Sequence, residues 1–138
     1  MFNSVSSRSA AAYKRVGLET SVDKAGPHQL VTMLFEGLIQ AVGMARTALA
    51  SGDIAKKGEQ ILKAVRILDE GLKPALNLEK GGPIAANLND LYAYCLMRLT
   101  QANLRNDPAA LDECIALMTP LRDAWTAIGS SADARGRN

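Results

Sequence analysis

The sequence predicts an all-α fold, an antiparallel up-down four-helix bundle with a short extra N-terminal helix. Three observations point to this class. Apolar residues recur at the spacing of helix faces, proline and glycine clusters separate four long segments, and strand signals are absent because no Asn-Gly or Asp-Gly hairpin occurs. Loops of only two to five residues between long helices make consecutive helices antiparallel neighbours.

Each helix boundary has a local cause. Proline fits the first helical turn, so Pro27 and Pro108 each open a helix, the latter behind the N-cap residue Asp107. Asp53 caps the second helix, and Gly81-Gly82-Pro83 separates the second from the third. The four helices are expected from Pro27 to about Ala50, Ile54 to about Leu78, Ile84 to about Asn106 and Pro108 to about Ile128.

The chain divides into three parts around this bundle. Residues 1–26 form an N-terminal cap segment, in which residues 8–16 are expected to make the short extra helix. The bundle occupies residues 27–128, and the polar residues 129–138 are expected to be a disordered tail. Within the bundle, Pro74 lacks a backbone donor and should kink or end the second helix near Gly71.

Composition excludes several classes of protein. Apolar residues make up 48% of the 138 positions and charged residues 22%, as in a single soluble globular domain. The net charge is +2 with no basic cluster, so we expect no nucleic-acid partner. No apolar run approaches the roughly 20 residues of a membrane span, so no membrane insertion is expected. Cys95 and Cys114 lie on apolar helix faces; free thiols in a reducing cytosol are favoured, with a structural disulfide left open.

Catalytic and metal-binding chemistry is not indicated. His28 is the only histidine and lies in the first turn of a helix, where it is expected to be an exposed helix-start residue. The chain contains no inward-facing Glu-x-x-His pair, no set of four zinc ligands and no phosphate-binding loop. We therefore expect neither an enzyme nor a bound metal or cofactor.

Two helices carry more apolar surface than a bundle requires, which is about three residues in seven. The first helix has a second apolar face beside its core face, formed by Phe35, Leu38, Ile39 and Val42. The third helix has a separate minor apolar stripe, formed by Ala86, Ala93, Met97 and Leu104. In the second helix, Ile67 lies off the core stripe. Such faces either pack against neighbouring helices or form a groove for an amphipathic or extended peptide, and composition leaves both open.

An ordered set of short motifs is more specific. Residues 26–37 read GPHQLVTMLFEG, residues 63–68 KAVRIL, residues 84–88 IAANL and residues 91–94 LYAY. The series continues with Arg98-Leu99, with residues 102–107, which read ANLRND, and with Ala124-Trp125. In this order and spacing, over about residues 12–128, the set resembles the flagellar secretion chaperone FliS family.

This resemblance implies a non-enzymatic cytoplasmic chaperone. It would bind the disordered C-terminal segment of flagellin in apolar grooves, prevent premature polymerisation and deliver the subunit to the export gate of the flagellar type III apparatus. The expected groove residues are Phe35, Leu38, Ile39, Val42, Ile67, Asn87, Tyr92, Ala93, Met97, Asn103 and Leu104, with Tyr13 and Val16 in a movable cover or export-gate contact. The alternatives are a general adaptor for another amphipathic helix and pairing of two copies into a homodimer through the same apolar faces.

Overall fold

The computed structural model describes residues 26–136, with the backbone alone for residues 78–80 and 130–136. Four helices account for most of this range, and it contains no strand, which confirms the predicted all-α bundle. The helices are α1 (Pro27–Ala50), α2 (Ile54–Arg66), α3 (Leu78–Arg105) and α4 (Pro108–Gly136); a π-helix (Ile67–Leu72) and a turn of α-helix (Lys73–Ala75) continue α2.

Contacts between helix ends show that neighbouring helices are antiparallel. Arg46, near the end of α1, pairs with Asp112, near the start of α4, with Nε and Oδ1 3.0 Å apart. Lys57, at the start of α2, donates from Nζ to the carbonyl of Asn103, at the end of α3, at 2.9 Å. Because turns of two or three residues join the helices in sequence, the four form a closed up-down-up-down ring.

Three of the four predicted helix starts, at Pro27, Ile54 and Pro108, are confirmed in detail. Asp53 accepts a hydrogen bond from the backbone N–H of Lys56 at 3.1 Å, as an N-cap residue does. Asp107 caps α4 in the same way, accepting from the N–H of Ala109 at 3.0 Å. Pro27 occupies the first position of α1, where a missing N–H costs nothing.

The second helix ends at Ala75, and the prediction of about Leu78 is wrong. Leu76 is extended, with ψ 134°, two residues after the proline that has no N–H to continue the helix. Helix α3 in turn starts earlier than predicted and breaks at Gly82, whose φ of 55° and ψ of −140° suit glycine. The predicted glycine–proline boundary is therefore a kink within α3.

The π-helix explains why the second helix buries a wider face than its sequence pattern predicts. The N–H that follows the segment bonds to the carbonyl of Leu68, five residues back. Ile67, expected off the core stripe, is buried, and so is Gly71. Gly71 packs against α1 so closely that a Cβ there would lie 3.0 Å from Leu34 Cδ2, so a side chain would disturb this packing.

Helix α4 extends beyond the predicted end near Ile128 and reaches Gly136. No proline follows Pro120 in this stretch, and alanines at several positions favour helix. The tail expected to be disordered from residue 129 is thus helical through most of its length. The short helix predicted over residues 8–16 lies outside the described residues.

The core runs through the middle of the bundle and takes apolar side chains from all four helices. Cys95 and Cys114 belong to it as free, buried thiols, with Cys114 Sγ 3.8 Å from the Cys95 carbonyl oxygen. No helix within residues 26–136 is both long and apolar enough to cross a membrane.

Candidate functional site

An apolar groove of about 260 Å³ opens at the end of the bundle where α1 begins. The helical turn that continues α2 ends at Ala75 and α3 is kinked at Gly82, so this end of the bundle is less completely filled than the middle. Side chains from every helical segment except Ile54–Arg66 line the groove: Val31, Phe35, Leu72, Ala75, Leu76, Ile84, Leu88, Tyr92, Leu121, Ala124, Trp125 and Ile128.

The groove presents apolar side chains to solvent at its rim. Ile84 from α3 is 73% exposed and Ile128 from α4 is 59% exposed, whereas Phe35 and Tyr92 are almost fully buried beneath them. The Phe35 and Tyr92 rings pack in a tilted arrangement with centroids 6.5 Å apart. Large aliphatic groups exposed around an apolar hollow are typical of surfaces that bind a partner.

The α4 wall of the groove is held in place by a reciprocal contact between Trp125 and His28. The indole Nε1–H donates to the His28 carbonyl at 3.0 Å, and His28 Nε2 lies 2.7 Å from the Trp125 carbonyl. Since a carbonyl can only accept, the imidazole donates from Nε2. The two rings stack with centroids 4.5 Å apart and planes 5° apart, so contacts within the bundle hold the Trp125 side chain in this wall.

The predicted groove residues fall into three groups. Phe35 and Tyr92 line the groove observed here. Leu38, Val42 and Ile67 are buried in the core, which favours the alternative that these surplus faces pack against neighbouring helices. Burial follows because α1 contacts both α2 and α4, so it needs two apolar faces.

The third group lies outside the groove. Met97 and Leu104 are exposed residues of α3, at 48% and 79%, and they form an uncovered apolar stripe with Ala86 and Ala93. Asn87 and Asn103 are exposed and Ile39 is half-buried. Tyr13 and Val16 lie outside the described residues. The part that these residues play in binding stays a prediction.

Sequence reasoning missed the α4 contribution to the groove. Leu121 and Trp125 follow the core spacing of α4, and Ile84 and Leu88 follow that of α3, so periodicity assigns all four to the core. One signal was available: Pro74 and the glycine pair before Pro83 interrupt the helices at the same end of the bundle. Where one helix ends before the helix beside it, the remaining core stripe of the longer helix is left open to solvent.

Two polar clusters lie away from the groove and support the bundle. Buried Lys57 donates from Nζ to Asn106 Oδ1 at 2.5 Å and to the backbone carbonyl of Asn103. These two bonds tie the start of α2 to the end of α3. Across α3 and α4, Glu113 accepts from the Tyr94 hydroxyl at 2.6 Å and from Arg98 Nε at 2.8 Å. These bonds, the Tyr94 bond first, lower the pKa of Glu113.

Metal-binding geometry is not found in the described part of the chain. No group of three or more histidine, cysteine, aspartate or glutamate side chains there could hold a metal ion. The fold and the groove together define an all-α bundle with an open apolar groove at one end.

Comparison with known proteins places this bundle in a family. Residues 9–132 match the family model described as "Flagellar protein FliS". The chain is 48% identical to the flagellar secretion chaperone FliS of Salmonella typhimurium, over 88% of this chain and 90% of that protein. It is 41% identical to the Escherichia coli FliS and 38% identical to that of Vibrio cholerae, with 83% and 87% of this chain covered and 84% and 88% of the relatives. The chain therefore belongs to the FliS family of flagellar secretion chaperones.

Proposed function

We propose that this protein binds the C-terminal segment of flagellin in the apolar groove at the α1–α4 end of the bundle. Binding in the cytoplasm keeps flagellin from polymerising early and presents it to the flagellar export gate. Membership of the FliS family, whose relatives are named flagellar secretion chaperones, supports a non-enzymatic role of this kind.

The observation that carries the proposal is the open apolar groove with Ile84 and Ile128 exposed at its rim. A segment that becomes ordered only on binding loses conformational entropy, and burial of apolar area must offset that loss. Covering these side chains removes apolar surface from water. The groove thus supplies the kind of contact that such a segment needs.

The α4 wall of the groove supports the same proposal. Trp125 is already fixed by His28, so a ligand does not have to order this side chain. A preformed wall lowers the entropic cost of association. The conformational entropy lost on binding then comes mainly from the flagellin segment.

Calorimetric titration with flagellin from the same organism tests the proposal. Full-length flagellin should bind near one-to-one with a negative heat-capacity change, because apolar surface is buried, and C-terminally truncated flagellin should not bind. Equal binding of both forms would contradict the proposal and favour a general adaptor for amphipathic helices.

Three aspartate variants locate the binding surface. Ile84→Asp and Ile128→Asp place a carboxylate at the groove rim and should each weaken binding about 30-fold or more, the effect of losing roughly 2 kcal/mol, because the bound segment would cover an unpaired charge. Both positions are exposed, so the fold should tolerate the change. Leu104→Asp tests the competing surface, because Leu104 is comparably exposed but lies outside the groove, on the apolar stripe of α3. If Leu104→Asp alone abolished binding, that stripe would be the binding surface instead.

A further inference from the structure

We infer that the Tyr92 hydroxyl is a specificity-determining contact, which hydrogen-bonds a polar group of the segment held in the groove. The inference rests on the proposed function, because it concerns the segment bound there. It predicts that the groove selects a segment in which a carbonyl, amide or hydroxyl group interrupts a run of aliphatic side chains.

The polar content of the groove leads to this residue. Among the twelve lining residues, only Tyr92 and Trp125 carry a polar side-chain atom. The Trp125 N–H is already donated to the His28 carbonyl at 3.0 Å. The Tyr92 hydroxyl forms no hydrogen bond with any residue in the described part of the chain. It is therefore the one polar side-chain group of this lining that a ligand can engage.

The surroundings of Tyr92 make such a bond selective. The residue is 2% exposed and its ring packs beside Phe35, yet its hydroxyl oxygen is not among the fully buried polar atoms without a partner, so it keeps contact with solvent until a ligand covers it. Burial, and then the nearby Cys95, raise the pKa of Tyr92, so the hydroxyl stays neutral and can both donate and accept. A wholly aliphatic ligand would cover this hydroxyl without a partner, which should weaken binding about 5-fold or more.

The test compares Tyr92→Phe with Tyr94→Phe in calorimetric titrations against full-length flagellin from the same organism. Both changes remove one hydroxyl and keep the ring. Tyr94 is the matched control, because it does not line the groove and its hydroxyl donates to Glu113. We expect Tyr92→Phe to weaken binding about 2- to 12-fold, the range for one ordinary hydrogen bond, and Tyr94→Phe to leave affinity unchanged.

Urea unfolding of the free proteins separates recognition from structure. Since the Tyr92 hydroxyl has no partner within the described residues, Tyr92→Phe should unfold at the same or a higher urea concentration than the unmodified protein. Loss of affinity without loss of stability supports the inference. Unchanged or tighter binding, or a lower unfolding midpoint for Tyr92→Phe, would overturn it while leaving the proposed function in place. Failure of the unmodified protein to bind flagellin would overturn both.

Discussion

His28 and Trp125 join the start of α1 to the C-terminal half of α4 through two hydrogen bonds that run in opposite directions and a stacked pair of rings. Each residue uses its backbone carbonyl to accept from the side chain of the other. The arrangement satisfies both nitrogen donors in a part-buried site, and it determines where the groove wall stands. The only histidine of the chain is therefore a structural residue of the site, and the expectation of an exposed helix-start residue is wrong.

Replacing His28 should weaken both the fold and the binding surface. His28→Ala removes the imidazole donor and the stack, and we expect the free energy of unfolding to fall by about 1–3 kcal/mol. Flagellin affinity should fall as well, because the wall loses its support. Urea unfolding and calorimetric titration measure the two effects. Thr126→Ala, at an exposed α4 position whose hydroxyl bonds only to its own helix, is the control; it should leave affinity unchanged and should not lower stability, because alanine has the higher helix propensity.

Gly129 should not tolerate a methyl group. A Cβ at this position would collide with three atoms of the His28 ring, and the ring cannot move without leaving its stack on Trp125. We expect Gly129→Ala to destabilise the protein by about 1–3 kcal/mol, the usual effect of overpacking. Gly43→Ala is the matched control: it has open space around it in α1 and should stabilise by about 1 kcal/mol through helix propensity.

A double mutant identifies the cause of the Gly129 effect. In a His28→Ala background the ring is absent, so Gly129→Ala should no longer cost stability. Thermal or urea unfolding of the four proteins in this cycle gives the coupling between the two sites. An equal loss in both backgrounds would show that the collision with His28 is not the reason.

Lys57 should contribute more to stability than its neighbour. Lys57→Met keeps the aliphatic part of the side chain but removes the donor that serves the Asn103 carbonyl and the Asn106 side chain. Because the lysine is buried, we expect a loss of about 1–3 kcal/mol in the free energy of unfolding. Lys56→Met, at an exposed position, is the control and should lie within about 0.5 kcal/mol of the unmodified protein. Similar values for both variants would contradict this role.

Glu113 should make stability depend on acid pH. Its pKa is lowered from 4.5 in the folded protein, first by the Tyr94 hydrogen bond and then by Arg98, so the folded state holds its proton less tightly than the unfolded state. The resulting stabilisation is present above the ordinary carboxyl pKa and is lost as the pH falls through the lower folded value. Glu113→Gln should therefore reduce the stability difference between about pH 7 and about pH 3. Parallel pH profiles of unfolding for the two proteins would contradict the assignment.

The bundle itself could be read from the sequence because its signals are local. Pro27, Asp53 and Asp107 each act within one helical turn, and the structure shows each in the expected place. The end of the second helix was less accessible. Pro74 marks the disturbance in the sequence. Whether the backbone responds with a kink, a π-helix or an early end depends on how this segment packs against Leu34 of α1. Rules that consider only neighbouring residues in the sequence do not include such a contact.

The groove was only partly predictable for a related reason. Counting apolar faces identifies a surplus, yet it does not show which neighbour covers it. Leu38 and Val42 looked like a second face and are core residues, whereas Trp125 looked like a core residue and forms a wall of the groove. The distinction depends on where each helix ends relative to the others. That is a property of the assembled bundle.

The up-down order of the helices also decides where a label can be attached without disturbing recognition. Val31 lies near the start of α1 and lines the groove, so a tag or reporter joined next to that helix start stands at the mouth of the site. The turns at Ser51–Asp53 and Asn106–Asp107 lie at the far end of the bundle. A fluorophore at an exposed position in one of them, such as Ser51→Cys modified by a maleimide, would lie far from the groove and would not obstruct it. The buried Cys95 and Cys114 would stay out of reach of the reagent.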